Sequence, residues 1–193
     1  MSKKTSSVRV SKSKKAQAEL DRKSIETPPH KQVVGWREWV ALPNLAVKNI
    51  KAKLDTGARS SALHAFNVRP VERQGKMYVQ FDVHPFQRND ELINTCVSEV
   101  VDYRWITNSG GGREKRFVIV TYLQMADEVW PIEVTLTDRD QMGFRMLIGR
   151  TAMEHRLIVD PTVSYRFGKP RKVNASSLAR PLPVSPDPNI EEE

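Results

Sequence analysis

Between residues 33 and 168 most hydrophobic positions recur at every second residue. Met77, Val79, Phe81 and Val83 alternate with Tyr78, Gln80, Asp82 and His84, the period of a strand with one buried face. Ile132, Val134 and Leu136 alternate in the same way with Glu133, Thr135 and Thr137. Ile50, Ala52 and Leu54 lead a strand straight into Asp55. The run from Phe117 to Leu123 is apolar on both faces and rich in β-branched side chains, which predicts a central strand. Only Thr151 to Arg156 reads as helix, and it is short. No internal repeat interrupts the pattern. The expected fold is all-β with one short helix near the C-terminal end of the domain.

The flanks break this pattern. Residues 1–32 are Ser- and Lys-rich with almost no large apolar side chains, so they bury too little surface to offset the entropy of ordering. Ala16 to Leu20 offers at most a transient helical turn, and Thr27-Pro28-Pro29 marks a boundary. Residues 169–193 are Pro-rich and finish in Glu191-Glu192-Glu193. The reading is therefore a basic tail at 1–32, a domain at 33–168 and a Pro-rich, acidic-ended tail at 169–193. Charge agrees. The chain carries a formal +8, and residues 1–32 alone hold nine Lys or Arg against three acids. The basic character belongs to a tail and not to the domain.

Cys96 is the single cysteine, so no intrachain disulfide forms, which fits a reducing compartment. No apolar run approaches the length of a membrane span, and the basic N-terminus lacks the apolar core of a signal peptide. The expectation is a soluble, cytoplasmic protein with no membrane partner.

Asp55-Thr56-Gly57-Ala58 carries the chemistry. An apolar strand leads in, a small residue follows, and a second strand-like run begins after Ser60. Peptide hydrolysis needs water activated on one side of the scissile carbonyl and a proton delivered on the other. Two carboxyl groups about 3 Å apart that share one proton do both, because like charges that close cannot both ionise. The chain holds one such motif, so a pair requires two chains. Far downstream lies Arg145-Met146-Leu147-Ile148-Gly149-Arg150-Thr151-Ala152-Met153, an apolar-apolar-Gly strand followed by a short helix.

With this second motif the chain resembles the retropepsins, in which the apolar strand passes behind the Asp-Thr-Gly loop. Leu54 to Ala65, Val101 to Trp105, Trp130 to Leu136, Met142 to Met153 and Val159 to Pro161 together resemble a bacterial and archaeal family of retropepsin-like peptidases. Its members are often labelled "putative ATP-dependent zinc protease", and relatives are encoded beside ATP-grasp ligases that add glutamate to a ribosomal protein. The resemblance covers about Val33 to Phe167. It implies a closed acid-protease barrel, a homodimer and an aspartic-type endopeptidase needing no cofactor or metal. Asp55, Thr56 and Gly57 form the catalytic loop, with Thr56 hydrogen-bonding across the two-fold axis. Ala58 stays small beneath the substrate. Leu54, Leu147, Ile148 and Gly149 support the loop, and Leu157 to Val159 with Val163 to Phe167 add strands to the dimer interface.

The chain departs from the retroviral pattern at Arg59, where an acid usually pairs with the Arg of the later helix. Arg150 then pairs elsewhere, with Asp102, Asp138 or Asp140 as candidates. Alternatively, Arg59 and Arg150 both line the cleft and select acidic or glutamylated peptides, since guanidinium binds carboxylates bidentately. A solvated Arg59 is the plain alternative. Gly110-Gly111-Gly112, between two strand-like runs, is either an ordinary hairpin turn or the Gly-tolerant tip of a substrate-binding flap. Pro85 to Glu91 is a second flap candidate.

Three other readings compete. A zinc peptidase lacks His-Glu-x-x-His, and His30, His64, His84 and His155 are not at ligand spacing, which leaves only a site assembled from distant groups such as His64, Cys96 and acids. ATP binding lacks a Gly-x-x-x-x-Gly-Lys-Ser/Thr loop. A non-catalytic binding or regulatory module on the same fold is the rival of a different class, since fold does not establish function. An ATP-grasp ligase is a candidate partner. The N-terminal tail is either a solubilising segment or a weak, sequence-independent RNA contact.

Overall fold

A computed structural model describes residues 30–87, 89–107, 111–138 and 143–169. The two tails, with the helical turn at Ala16 to Leu20, lie outside these residues except at their inner ends. The described chain forms twelve strands: β1 (Gln32–Gly35), β2 (Arg37–Leu42), β3 (Val47–Leu54), β4 (Ser61–His64), β5 (Phe66–Arg73), β6 (Lys76–Val83), β7 (Asn94–Glu99), β8 (Asp102–Thr107), β9 (Arg113–Met125), β10 (Glu128–Thr137), β11 (Met146–Ile148) and β12 (Leu157–Asp160). A 3-10 turn at Pro43–Leu45 and one helix, α1 (Arg150–Met153), complete it.

Six strands close into a barrel in the order β10-β4-β11-β3-β2-β9, with β9 returning to β10. β11 lies parallel to β3 and antiparallel to β4, and β10 runs parallel to β4. The lining follows the period-two pattern. Ile50, Ala52 and Leu54 of β3 point inward, as do Ile132, Val134 and Leu136 of β10 and Ile119, Leu123 and Met125 of β9. β11 has only three residues, but all are buried. Burying a large aliphatic side chain contributes about 1.5–3 kcal/mol, enough to hold so short a strand between two neighbours. Pro131 falls where β10 has β9 as neighbour and before β4 joins at Val134, so its missing N–H interrupts no β4 pairing.

A separate sheet, β5-β6-β7, packs on the barrel through Val79, Phe81 and Val83. The alternation expected for β6 holds for these three, while Gln80 is also buried and Met77 is exposed. β1 and β12 form a two-stranded parallel sheet.

Two expectations need correction. The helix is not Thr151 to Arg156 but the four residues of α1. Glu154 leaves helical geometry with ψ 132° and His155 takes a left-handed φ of 65°, so the chain turns away at once. Val163 to Phe167 does not form a strand. That segment is irregular and ends in a turn, fastened to the start of β2 and the residue before it: Trp36 N–H donates to the Val163 carbonyl at 3.1 Å and Tyr165 N–H to the Arg37 carbonyl at 2.8 Å.

Candidate active site

β3 delivers Asp55 to the end of the barrel. The Asp55 N–H donates to the Ile148 carbonyl at 2.9 Å, so β11 extends its ladder to the start of the loop. The carboxylate then folds the turn upon itself. Asp55 Oδ1 accepts from the Gly57 N–H at 2.9 Å and the Ala58 N–H at 3.2 Å. Asp55 and Ala58 are half-buried, while Thr56 and Gly57 are exposed. Beneath them Leu54, Leu147 and Ile148 are buried and form an apolar wall.

α1 holds the loop from behind. Gly149 is pressed against the chain before β4: a Cβ there would lie 2.5 Å from the Ser60 carbonyl carbon and 2.7 Å from the Arg59 oxygen. Only glycine fits. Its N–H donates to Ser61 Oγ at 3.2 Å. The Arg150 N–H donates to the Ala58 carbonyl at 2.8 Å, and the Thr151 N–H and hydroxyl donate to the Arg59 carbonyl at 3.2 and 3.1 Å. Arg150 also reaches over the loop, where one guanidinium nitrogen donates to the Thr56 and Gly57 carbonyls, each at 2.9 Å.

This changes the expected role of the Arg150 head. It does not pair with Asp102, whose carboxylate meets Arg104 at 3.2 Å, nor with Asp138, which lies 3.6 Å from His64 Nδ1; Asp140 is outside the described residues. Backbone carbonyls serve where an acid was expected. The Arg59 side chain is exposed and, with Thr56, Arg150, Met153, Leu157 and Val159, lines an open hollow of about 590 Å³ beside the loop.

Gly111 and Gly112 lie in the β8–β9 connection, with Thr107 opposite Arg113 at its base; Gly110 is outside the described residues. The second flap candidate is tied down. Phe86 bridges Asn49 of β3, the Gln87 N–H donates to the Asn49 carbonyl at 3.1 Å, and Arg145 bonds the Phe86 carbonyl and Asp90. Asn49 is six residues before Asp55, about 20 Å along a strand.

Several supporting residues were not foreseen. Ser61 is fully buried, and its carbonyl accepts the Thr135 hydroxyl at 3.0 Å. Trp130 Nε1 donates to the Ala152 carbonyl at 2.9 Å and fastens α1 to β10. A polar Ser pair opening an apolar strand was the available signal for the first.

The groups named for a zinc site do not converge. Cys96 lies under the 3-10 turn with its thiol 3.6 Å from the Leu45 carbonyl, and burial, with Asp82 nearby, pushes it up to about 12. His64 is buried with its ring stacked near Phe66 and His84. Among the described residues no group of three His, Cys, Asp or Glu side chains is placed to share a metal ion. Nor is any helix among them long and apolar enough to cross a membrane.

A barrel strand ending in Asp-Thr-Gly, buttressed by an apolar-apolar-Gly strand and a short helix, is the half-site of a retropepsin-type fold. A family model described as retropepsin-like aspartic endopeptidase RimB matches residues 33–170, and the chain belongs to this RimB-like family. It is 44% identical over 149 residues to a probable alpha-L-glutamate ligase of Shewanella halifaxensis, covering 77% of this chain and 32% of that protein. A protein of the same description from Desulfotalea psychrophila is 44% identical over 142 residues, 74% of this chain and 31% of the relative. The chain thus spans about a third of the length of these curated relatives. A Legionella pneumophila protein of unknown function, Lpg0085, superposes with a TM-score of 0.61 at 29% identity, covering 72% of this chain and 99% of that one.

Proposed function

We propose that the protein is an aspartic-type endopeptidase whose active site forms when two copies bring their Asp55 carboxyls together. The observation that carries this reading is the Asp55 loop itself. Its carboxylate is fixed through Oδ1 by two backbone N–H groups, its backbone is held by Arg150, and its outer residues Thr56 and Gly57 remain exposed. Among the described residues Asp55 Oδ2 has no hydrogen-bond partner, which leaves it for water or a partner carboxyl. In the pair, one carboxylate takes a proton from water as it attacks the peptide carbonyl and the other carboxyl protonates the carbonyl oxygen. The apolar side of the hollow, with Met153, Leu157 and Val159, adjoins the loop and suits an isologous contact between copies.

The exposed Arg59 favours acidic or glutamylated substrates. The relatives named as probable alpha-L-glutamate ligases carry the matched region within a longer chain, which supports a glutamate ligase as a working partner. The same fact favours a second reading, a non-catalytic module that regulates such a ligase. Asp55→Asn separates the two. It keeps shape and removes the ionisable carboxyl, so hydrolysis of a peptide library should fall by orders of magnitude while the sedimentation coefficient stays that of a dimer. Unchanged hydrolysis, or none in the unaltered protein with or without a ligase, would sink the endopeptidase reading.

A further inference from the structure

β2 and β3 also turn a face to the outside of the barrel. Ile50, Ala52 and Leu54 line the interior, so Lys51 and Lys53 between them point outward. Their partners across the ladder share that face: Trp39 lies opposite Lys51 and Arg37 opposite Lys53. The segment after β12 adds Tyr165, whose ring centre lies 5.9 Å from that of Trp39. Lys51 Nζ lies 5.4 Å from the Trp39 ring centre and 5.3 Å from that of Tyr165, and Lys169 Nζ lies 5.1 Å from Trp39. The Arg37 guanidinium lies 5.0 Å from the Tyr165 ring, and its Nε donates to Ser164 Oγ at 3.1 Å. Among the described residues Arg37, Lys51, Lys53 and Lys169 meet no carboxylate. A ring face holds a cation in place without neutralising it, so the charge of this wall stays uncompensated.

The charge continues along the sequence. Lys169 opens the run Lys169-Pro170-Arg171-Lys172, and residues 1–32 hold nine Lys or Arg against three acids. The complement of such a surface is a polyanion. An extended acidic peptide gains most of its affinity by pairing its backbone with a free sheet edge. This wall offers none, because β3 lies between β11 and β2, and β2 between β3 and β9. A nucleic acid carries its charge in its own backbone and needs no edge. Lys51 and Lys53 stand about 7 Å apart along their strand, close enough to serve neighbouring phosphates. Trp39 and Tyr165 are half-buried and still present aromatic surface beside the cations, on which unpaired bases pack. Unpaired bases are chiefly a feature of RNA loops, bulges and ends.

We infer that the outer wall of β2 and β3 is a docking surface for single-stranded RNA. Arg37, Lys51, Lys53 and Lys169 take its phosphates, and the rings of Trp39 and Tyr165 take bases without regard to sequence. Lys53 points out of the barrel two residues before Asp55, whereas Leu54 points in. RNA on this wall would therefore hold the protein beside a ribonucleoprotein while leaving the interior of the barrel open.

The test is fluorescence anisotropy of a labelled oligouridylate of about 20 nucleotides, long enough for several OB-fold-sized sites, titrated with the full chain over a range of salt. Combining Lys53→Gln with Lys169→Gln removes two exposed cations and leaves the packing intact. It should weaken binding about tenfold at 0.1 M salt and flatten the slope of log K against log salt by about 1.4, two phosphate contacts at about 0.7 each. Arg69→Gln with Lys76→Gln removes two exposed cations from the separate β5-β6-β7 sheet and should leave the slope unchanged. An unaltered slope in the first variant overturns the inference, since the tails alone would then carry the binding. So does an equal loss in the second, which would reduce the effect to net charge. Poly-glutamate or duplex DNA of the same length that binds tighter than oligouridylate, and loses its affinity in the first variant, would overturn it in favour of an acidic protein or of DNA. The readout is binding alone, so the result is independent of whether Asp55 cleaves peptides.

Discussion

Gly149 lies so close to Ser60 that a single added carbon would sit 2.5 Å from the Ser60 carbonyl carbon. The obstacle is backbone on both sides, so no side-chain rotation relieves it. Gly149→Ala should cost at least about 2 kcal/mol and lower Tm by roughly 6 °C. Thermal unfolding followed by circular dichroism measures this. An unchanged Tm would mean that the strand behind the loop has room to move.

Arg150 should separate stability from activity. Its side chain is exposed, so losing its two carbonyl bonds should change stability by less than about 1 kcal/mol. Those bonds fix two successive carbonyls of the loop, those of Thr56 and Gly57, and small misplacements of reacting groups cost rate steeply. Arg150→Met should therefore lower kcat about tenfold or more with little shift in the urea midpoint. Equal losses in both would make Arg150 a general structural residue.

Cys96 should be chemically silent in the native state. The thiolate is the reactive form, and a thiol pushed up to about 12 has almost none at pH 8. Iodoacetamide labelling followed by mass spectrometry should be orders of magnitude slower than in urea. Comparable rates in the two conditions would contradict the burial.

Asp160 gives a pH dependence with a definite sign. The Thr162 hydroxyl at 2.6 Å and backbone N–H at 2.9 Å hold its carboxylate below the usual range. A depressed folded value contributes stability above the unfolded value near about 4, and that contribution is lost as pH falls through the folded value. The stability difference between wild type and Asp160→Asn should be flat from pH 7 to about pH 5 and shrink below about pH 4. Urea melts at pH 7, 5 and 3 test it; a difference that grows in acid would reverse the assignment.

The sequence shows some of these relationships and hides others for physical reasons. Asp55 and Ile148 are legible because each sits in a short motif whose residue types are dictated by close packing. The strand leading to Asp55 is legible because one face of β3 is buried and the other wet. The partners of Arg150 are not. They are backbone carbonyls, which carry no residue identity, so the eye looks for an acid. The end of α1 is hidden because His155 adopts a left-handed conformation without being glycine. β5 buries no side chain fully and its half-buried positions shift by one at Arg69-Pro70, and Gln80 lies opposite Arg69 and Val97 on the central strand of its sheet. Parallel pairings such as β10 with β4 join residues over seventy positions apart, beyond the reach of local periodicity.

The parallel pairing of β1 with β12 sets how the domain answers to mechanical pulling. Gln32 sits beside Leu157 and Gly35 beside Asp160, so the flanking segments leave from opposite ends of one short ladder. Tension applied through them loads all the rungs together, in shear, before any strand is stripped from the barrel. Pulling at Gly35 and Asp160 would instead peel the rungs one by one. The first geometry should need the greater force in a single-molecule stretching experiment, and equal forces would show that the weak point lies elsewhere. A machine that draws polypeptides in by one end would meet its resistance at this ladder, before reaching the strands that carry Asp55.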